Sequence, residues 1–399
     1  MTAKWGQTSV KDIVTPVRGE LVSGRSDIIL EGISTDSRDI KPGQIFLALK
    51  GDNFDGHDFV EKAITGGASC LIIDKSLNGR IFDKSNVAII QVDDTLRALG
   101  DLAGWWRNKH EITVVTITGS AGKTTTKEMT ALILGQGAKT LKNRGNFNNL
   151  IGLPLSLLRL EKADRRAVLE MGMNRPGEIK RLTEIADPDI GLITNVARAH
   201  LEGLKDLEGV ARAKTELIEE IRPDGYIIIN GDDVLLMKQA SRFNRRIITF
   251  GRGRRNDIRA ENIINLGHKG ISFDLRYHDI TLPVSIRVPG IQNIHNALAA
   301  SAVAVLMEES PDNIVKGLND FEGIDGRFRS LSLPRGNTLI DDTYNANPYS
   351  LKAALDSIKS MAGDERRIIV GLGEMMELGD ETSSAHIEAG KRVAEIGAS

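Results

Sequence analysis

Short apolar runs punctuated by Gly, Asp and Asn dominate the first quarter of the chain. Ile45 to Leu49, Cys70 to Ile73 and Val87 to Val92 each read as a buried strand bounded by turn residues. The spacing then changes, and Thr95 to Lys109 has the pattern of a helix. Beyond it, Ile112 to Thr118 is rich in β-branched residues, as expected of an interior parallel strand. A helix is expected over Thr124 to Leu134. Further strands are expected at Ala167 to Met171, Ile190 to Val196, Tyr226 to Asn230 and Ile247 to Phe250. Helical stretches between several of these runs indicate a three-layer α/β fold with a mostly parallel sheet.

From Ile258 to Pro289 the rhythm becomes that of a hairpin, with Gly267-His268-Lys269-Gly270 as its turn. A helix over Asn293 to Met307 follows. The last stretch predicts a strand at Thr338 to Asp341, a helix at Ser350 to Ser360, a strand at Arg366 to Val370 and one further helix. Two strands and two helices fall short of a doubly wound sheet, so the expectation is either a fragment or an unusually small domain. At about 150 residues per domain, 399 residues suggest roughly two or three domains. The compositional breaks place them at 1–110, 111–322 and 323–399.

Composition narrows the possible functions. Hydrophobic residues make up 41% and charged residues 27%, as in an ordinary globular protein. A net charge of -2 provides no general attraction to nucleic acid or to an anionic membrane. No signal-peptide core opens the chain and no window predicts a membrane span, so a cytoplasmic protein is expected. The single cysteine, Cys70, sits in an apolar segment and reads as a buried, inert thiol.

The strongest chemical signal is Gly119-Ser120-Ala121-Gly122-Lys123-Thr124-Thr125, between a β-branched strand and a helix. Glycines let backbone N–H groups close around phosphate oxygens, and the helix N-terminus adds the positive end of a dipole. Lys123 is placed to reach the β and γ phosphates, and the Thr124 hydroxyl to ligate Mg²⁺. Only two residues separate Gly119 from Gly122, where the usual phosphate loop has four between its first glycine and Gly-Lys. Glu170 ends one predicted strand and His200 follows another. Ligands lie at the carboxyl ends of strands in open α/β sheets, so Lys123, Glu170 and His200 are expected to converge on a metal-assisted phosphoryl-transfer site. Taken singly, a Glu is usually solvated and a His usually a satisfied polar group. On its own pattern, Lys214 is a solvated helix residue.

These motifs form an ordered series: STDSRDIKPGQIFLALKGDNFDGHDF (Ser34 to Phe59), TGSAGKTTTKEM (Thr118 to Met129), GNFNNLIGLPLSLL (Gly145 to Leu158), EMG (Glu170 to Gly172), AHLEG (Ala199 to Gly203), ARAKTELI (Ala211 to Ile218), IHNALAA (Ile294 to Ala300), GRF (Gly326 to Phe328), DDTYNANPYS (Asp341 to Ser350) and GEMMELGD (Gly373 to Asp380). The series resembles the Mur ligase family over nearly the whole chain, and the short loop spacing is that family's own. The resemblance implies a three-domain architecture with a central P-loop ATPase domain and a Rossmann-like C-terminal domain, truncated here. It also implies an ATP-dependent ligase that joins D-alanyl-D-alanine to UDP-N-acetylmuramoyl-tripeptide through an acyl phosphate; a monomer is expected.

By the same resemblance, the loop amides and Lys123 hold ATP phosphates. Thr124 and Glu170 ligate a first Mg²⁺ and His200 a second. Lys214 is the lysine that becomes carbamylated, Asn296 reads adenine, Arg327 contacts the γ-phosphate and Asp342 the ribose. Asn148 and Asn149 form a polar run facing substrate, and Ser34, Thr35, Asp36, Ser37 and Arg38 hold the UDP end. Gln292-Asn293 stands where the family often has His-Asn. A sister ligase that adds the preceding residue carries Asp-Asn-Pro-Arg in its last domain, a motif absent here.

Overall fold

The computed structural model describes residues 5–75, 86–199, 201–363 and 366–398. Two compact units are present. The first comprises Met1–Ile112, Asn143–Asp164 and Glu184–Ala186. Its sheet contains β1 (Glu20–Ser23), β2 (Gly32–Ser34), β3 (Gln44–Leu47), β4 (Cys70–Asp74) and β5 (Ala88–Val92), in the order β1-β5-β4-β3-β2. β2 to β5 run parallel, and β1 closes the edge antiparallel to β5. β3 and most of β4 are buried, as apolar runs between turns require.

Two stacked tryptophans tie residues 143–164 to this unit through one hydrogen bond each. Trp5 stacks on Trp106 with centroids 4.9 Å apart, Trp5 Nε1 donates to Leu158 O at 3.4 Å, and Trp106 Nε1 donates to Leu160 O at 3.3 Å. Trp106 lies on the helix Thr95–Asn108, which Asp94 caps by accepting the Arg97 N–H.

The second unit comprises Thr113–Lys142, Arg165–Thr183 and Asp187–Ser399. Its main sheet contains β6 (Thr113–Thr118), β7 (Thr140–Lys142), β8 (Arg166–Glu170), β9 (Ile190–Ile193), β10 (Tyr226–Asn230), β11 (Arg246–Gly251), β12 (Ile258–Asn265), β13 (Ile271–Tyr277) and β14 (Ile280–Ile286). The order is β14-β13-β12-β11-β10-β9-β6-β8-β7. Strands β7 to β12 and β6 are mutually parallel, while β13 and β14 add an antiparallel hairpin edge. After β6 the chain moves to one side of the sheet, and from β9 onward it builds the other side. The change of direction falls at the carboxyl ends of β6 and β9, where open sheets of this kind bind their ligands.

The helices Lys123–Gly137 and Gln292–Leu306 share one apolar core on this sheet. That core includes Met129, Ile133, Leu134, Ala297, Leu298 and Val303. Alanines along the second helix keep its inner face shallow, so two helices can pack side by side.

The remaining residues form the antiparallel pair β15 (Arg329–Ser332) and β16 (Thr338–Asp341) and the helices Pro348–Ala362 and Thr382–Glu395. The expected strand at Arg366 to Val370 is absent, and Ile368 makes only an isolated bridge with Ala398. A strand needs a partner ladder, and a single bridge does not provide one. The hairpin over 258–289 has a third strand, because the chain turns again at His278, whose φ is +47°.

Candidate functional site

The phosphate loop leaves β6 at Gly119 and enters its helix at Lys123. Gly119 has φ +148° and Gly122 has φ +81°. A Cβ on Gly119 would lie 1.8 Å from Thr194 Oγ1, and one on Gly122 would lie 2.3 Å from Asn296 Oδ1. Only glycine fits at either position. Gly122→Ala is expected to destabilise the protein by about 1–3 kcal/mol and to weaken nucleotide binding. Thermal unfolding and titration with a fluorescent ATP analogue measure both. A variant with the parent's stability and affinity would show that the loop can relax.

The segment after β9 fixes the loop's shape. Ser120 N donates to Asn195 O at 3.1 Å, and Ala121 N donates to Asn195 Oδ1 at 3.0 Å. Ala121 O accepts from Thr194 Oγ1 at 2.6 Å and from Asn195 Nδ2 at 3.0 Å. Ser120 Oγ donates to Ala197 O at 3.0 Å. These bonds use the first two loop amides. The N–H groups at the start of the helix Lys123–Gly137 have no partner within the helix, as at any helix N-terminus, which suits them to an anion. The sequence predicts a strand that reaches Val196, which hides the roles of Thr194 and Asn195. The ladder stops at Ile193.

Lys123 Nζ donates to Gly119 O at 2.8 Å. Burial lowers its pKa. The Glu170 carboxylate opposes that shift, Arg327 reinforces it and Glu377 opposes it. Glu170 closes β8, buried, with Ile117 of β6 as its register partner. Arg327 Nη2 donates to Thr124 Oγ1 at 3.2 Å, and its guanidinium lies 3.9 Å from the centroid of the Tyr344 ring. Asp342 Oδ1 accepts the Phe328 N–H at 2.9 Å. Burial pushes its carboxyl up, while the Phe328 N–H and Arg327 hold it down. The structure thus brings Lys123, Thr124, Glu170, Arg327 and Asp342 into one neighbourhood.

Lys214 is not a solvated residue. It is 1% exposed on the helix Leu207–Glu220. Burial, with the nearby Lys123 charge second, holds its amine well below the ordinary lysine value. Asn296 is buried as well. Its Oδ1 accepts from Thr126 Oγ1 at 3.3 Å and its Nδ2 donates to Asn293 Oδ1 at 3.0 Å. The same Oδ1 leaves no room for a side chain at Gly122. His200 lies outside the described residues.

In the first unit, Ser34 Oγ donates to Asp36 O at 3.0 Å. Arg38 makes a two-pronged contact with Asp36, Nε to Oδ1 at 2.9 Å and Nη2 to Oδ2 at 2.6 Å. That contact lowers the Asp36 pKa to about 2. Thr35 and Ser37 are half-buried in the same turn. Asn149 Oδ1 accepts the N–H groups of Ile151 and Gly152, so it starts the helix Gly152–Leu157, and Asn148 lies immediately before it.

Among the described residues, no group of three or more His, Cys, Asp or Glu side chains forms a ready metal cage. Thr124 Oγ1 and the Glu170 carboxylate are nonetheless hard oxygen donors beside the phosphate loop. That set fits Mg²⁺, which takes one or two protein ligands and completes its shell with phosphate and water. No helix among the described residues is long and apolar enough to cross a membrane.

A parallel sheet with a switch point, a glycine loop with its lysine and an arginine over the loop threonine define a P-loop nucleotide-binding protein. Comparison with known proteins makes the class particular. The chain matches the Mur ligase middle domain over 117–304, the Mur ligase family catalytic domain over 30–107 and the Mur ligase glutamate ligase domain over 326–398. It is 37% identical over 383 residues to the UDP-N-acetylmuramoyl-tripeptide–D-alanyl-D-alanine ligase of Bacillus subtilis, a match covering 96% of this chain and 82% of that one. It superposes on MurF from Acinetobacter baumannii with TM-score 0.87 and 34% identity, covering 97% and 83% of the two chains. It superposes on the MurF ligase of Thermotoga maritima in complex with ADP with TM-score 0.83 and 29% identity, covering 92% and 83%. The chain belongs to the Mur ligase family.

Proposed function

We propose that this chain joins D-alanyl-D-alanine to UDP-N-acetylmuramoyl-tripeptide at the expense of ATP, in peptidoglycan precursor synthesis. The assembly of the phosphate loop, Arg327 and the buried Lys214 carries this reading, and the curated relatives support it. Residues 1–110 bind the UDP end, 111–322 bind ATP, and 323–399 supply groups that close over the nucleotide. The reaction takes place in the cytoplasm and is carried out by a monomer.

A carboxylate is a poor electrophile because oxide is a poor leaving group, so it must first be activated. A tripeptide carboxylate oxygen bonds to the γ-phosphorus as the bridge to ADP breaks. The dipeptide amine then attacks the acyl carbon, loses a proton, and phosphate departs. Lys123 and Arg327 oppose the charge that develops on the phosphoryl oxygens. Mg²⁺ held by Thr124 and Glu170 would neutralise further phosphate charge. Asp342 binds the ribose and Asn296 reads adenine.

Lys214 is carbamylated in the active protein: its neutral amine adds CO₂, releases a proton and becomes an anion able to orient a cation. His200 completes the metal set. The test is phosphate release requiring ATP, the UDP-tripeptide and the dipeptide together. Release without the amine, or without the tripeptide, would overturn the reading.

The turn Ser34 to Arg38 holds the uridine diphosphate. Asp36 already orders the Arg38 guanidinium, which leaves its outer N–H edge for phosphate oxygens. Arg38→Ala is expected to raise the KM for the UDP substrate by roughly 1.5–3 kcal/mol, the worth of one charged hydrogen bond. The KM for ATP should hold, because Arg38 lies in the first unit and the phosphate loop in the second. A matching rise in both KM values would contradict this division.

A further inference from the structure

Phosphoryl transfer needs a guanidinium held in place before ATP arrives, and a long arginine side chain loses considerable entropy when ordered. The Tyr344 ring lies 3.9 Å from the Arg327 guanidinium, while the same guanidinium donates to Thr124 Oγ1. Backbone bracing produces this contact. Tyr344 N donates to Gly326 O at 3.1 Å, and Phe328 N donates to Asp342 Oδ1 at 2.9 Å. Gly326 and Phe328, which flank Arg327, are thereby tied to Tyr344 itself and to Asp342 two residues before it. Tyr344 is 50% exposed, so the core does not depend on its bulk.

We propose that Tyr344 is a positioning residue that clamps Arg327 over the γ-phosphate position, an inference resting on the functional reading above. The ring face attracts the cation and confines the guanidinium to a plane, leaving its edge N–H groups to meet phosphate oxygens. The phenolic oxygen has no part in the contact. Tyr344 thus gives the site its preference for a triphosphate over a diphosphate.

Affinities for ATP and ADP, measured by calorimetry on Tyr344→Leu and Tyr344→Phe, test the clamp. The leucine variant is expected to bind ATP about tenfold more weakly and ADP unchanged. The phenylalanine variant keeps the parent's affinity for both. In an Arg327→Ala background, Tyr344→Leu adds no further loss. In turnover, the loss falls on kcat/KM for ATP and leaves the KM for the dipeptide in place. Equal weakening of ATP and ADP, a loss in the phenylalanine variant as large as in the leucine variant, or additive losses in the double variant would overturn the inference. The binding arms decide it whatever the acceptor amine proves to be. Failure of the parent chain to turn over with the dipeptide would overturn the functional reading alone.

Discussion

Lys214→Ala is expected to lower ligation turnover by at least about a hundredfold, the upper range for losing a group that orients a metal site. The reason is the amine's position. It is 1% exposed and close enough to Lys123 to feel that charge. Protonating it would bury a second cation beside the first, so the neutral form is favoured. A neutral amine attacks CO₂ readily, and the resulting carbamate reverses the local sign of charge.

Two companion variants separate the chemistry from packing. In Lys214→Ala the vacated space accepts acetate or propionate, and either acid should restore part of the activity. Lys214→Met keeps the volume and leaves no such space, so it should be inactive without rescue. It should also be more stable by about 1–3 kcal/mol, because it removes a buried polar group. A methionine variant that turns over normally would show that Lys214 is only a packing residue.

Much of the second unit was readable because its signals are local. The β-branched run before Gly119, the glycines and Lys123 lie within a dozen residues of one another, and the period of the chain specifies strand, loop and helix in turn. Tyr226 to Asn230 and Thr338 to Asp341 emerge with their expected bounds. Other features depend on distant partners. Arg327 meets Thr124 across 203 residues, and no spacing rule encodes that contact. Tyr344 lay inside a quoted motif but had no role until the guanidinium was seen against its ring. Lys214 has the pattern of a surface residue, because a helix's own periodicity does not say what covers its face. Arg366 to Val370 has strand-like composition without a ladder to join. His278 hid the second hairpin turn because it takes φ +47° without being glycine or asparagine. The family resemblance makes Asn149 a substrate contact, and the structure adds that its amide oxygen starts a helix.

Lys123→Ala is expected to reduce turnover by about 10²–10³-fold, the usual effect of removing one preorganised group from a developing oxyanion. The backbone amides would still hold α- and β-phosphates, so ADP binding should weaken much less than turnover. The lysine now rests on Gly119 O, and the balance of its neighbours explains why it can leave. Burial and Arg327 disfavour its charge, while Glu170 and Glu377 favour it. An arriving γ-phosphate brings negative charge to the site, and the ammonium gains more there than from one carbonyl. Its bond to Gly119 is thus exchanged for a stronger one as the phosphoryl group loosens. Lys123→Arg keeps the charge but lacks room in a loop pinned by Thr194 and Asn195, so it should recover little activity. Stopped-flow measurement of acyl-phosphate formation would place the defect at the first chemical step. If Lys123→Ala formed the acyl phosphate at the parent's rate and slowed only the amine's attack, the lysine would belong to the second step.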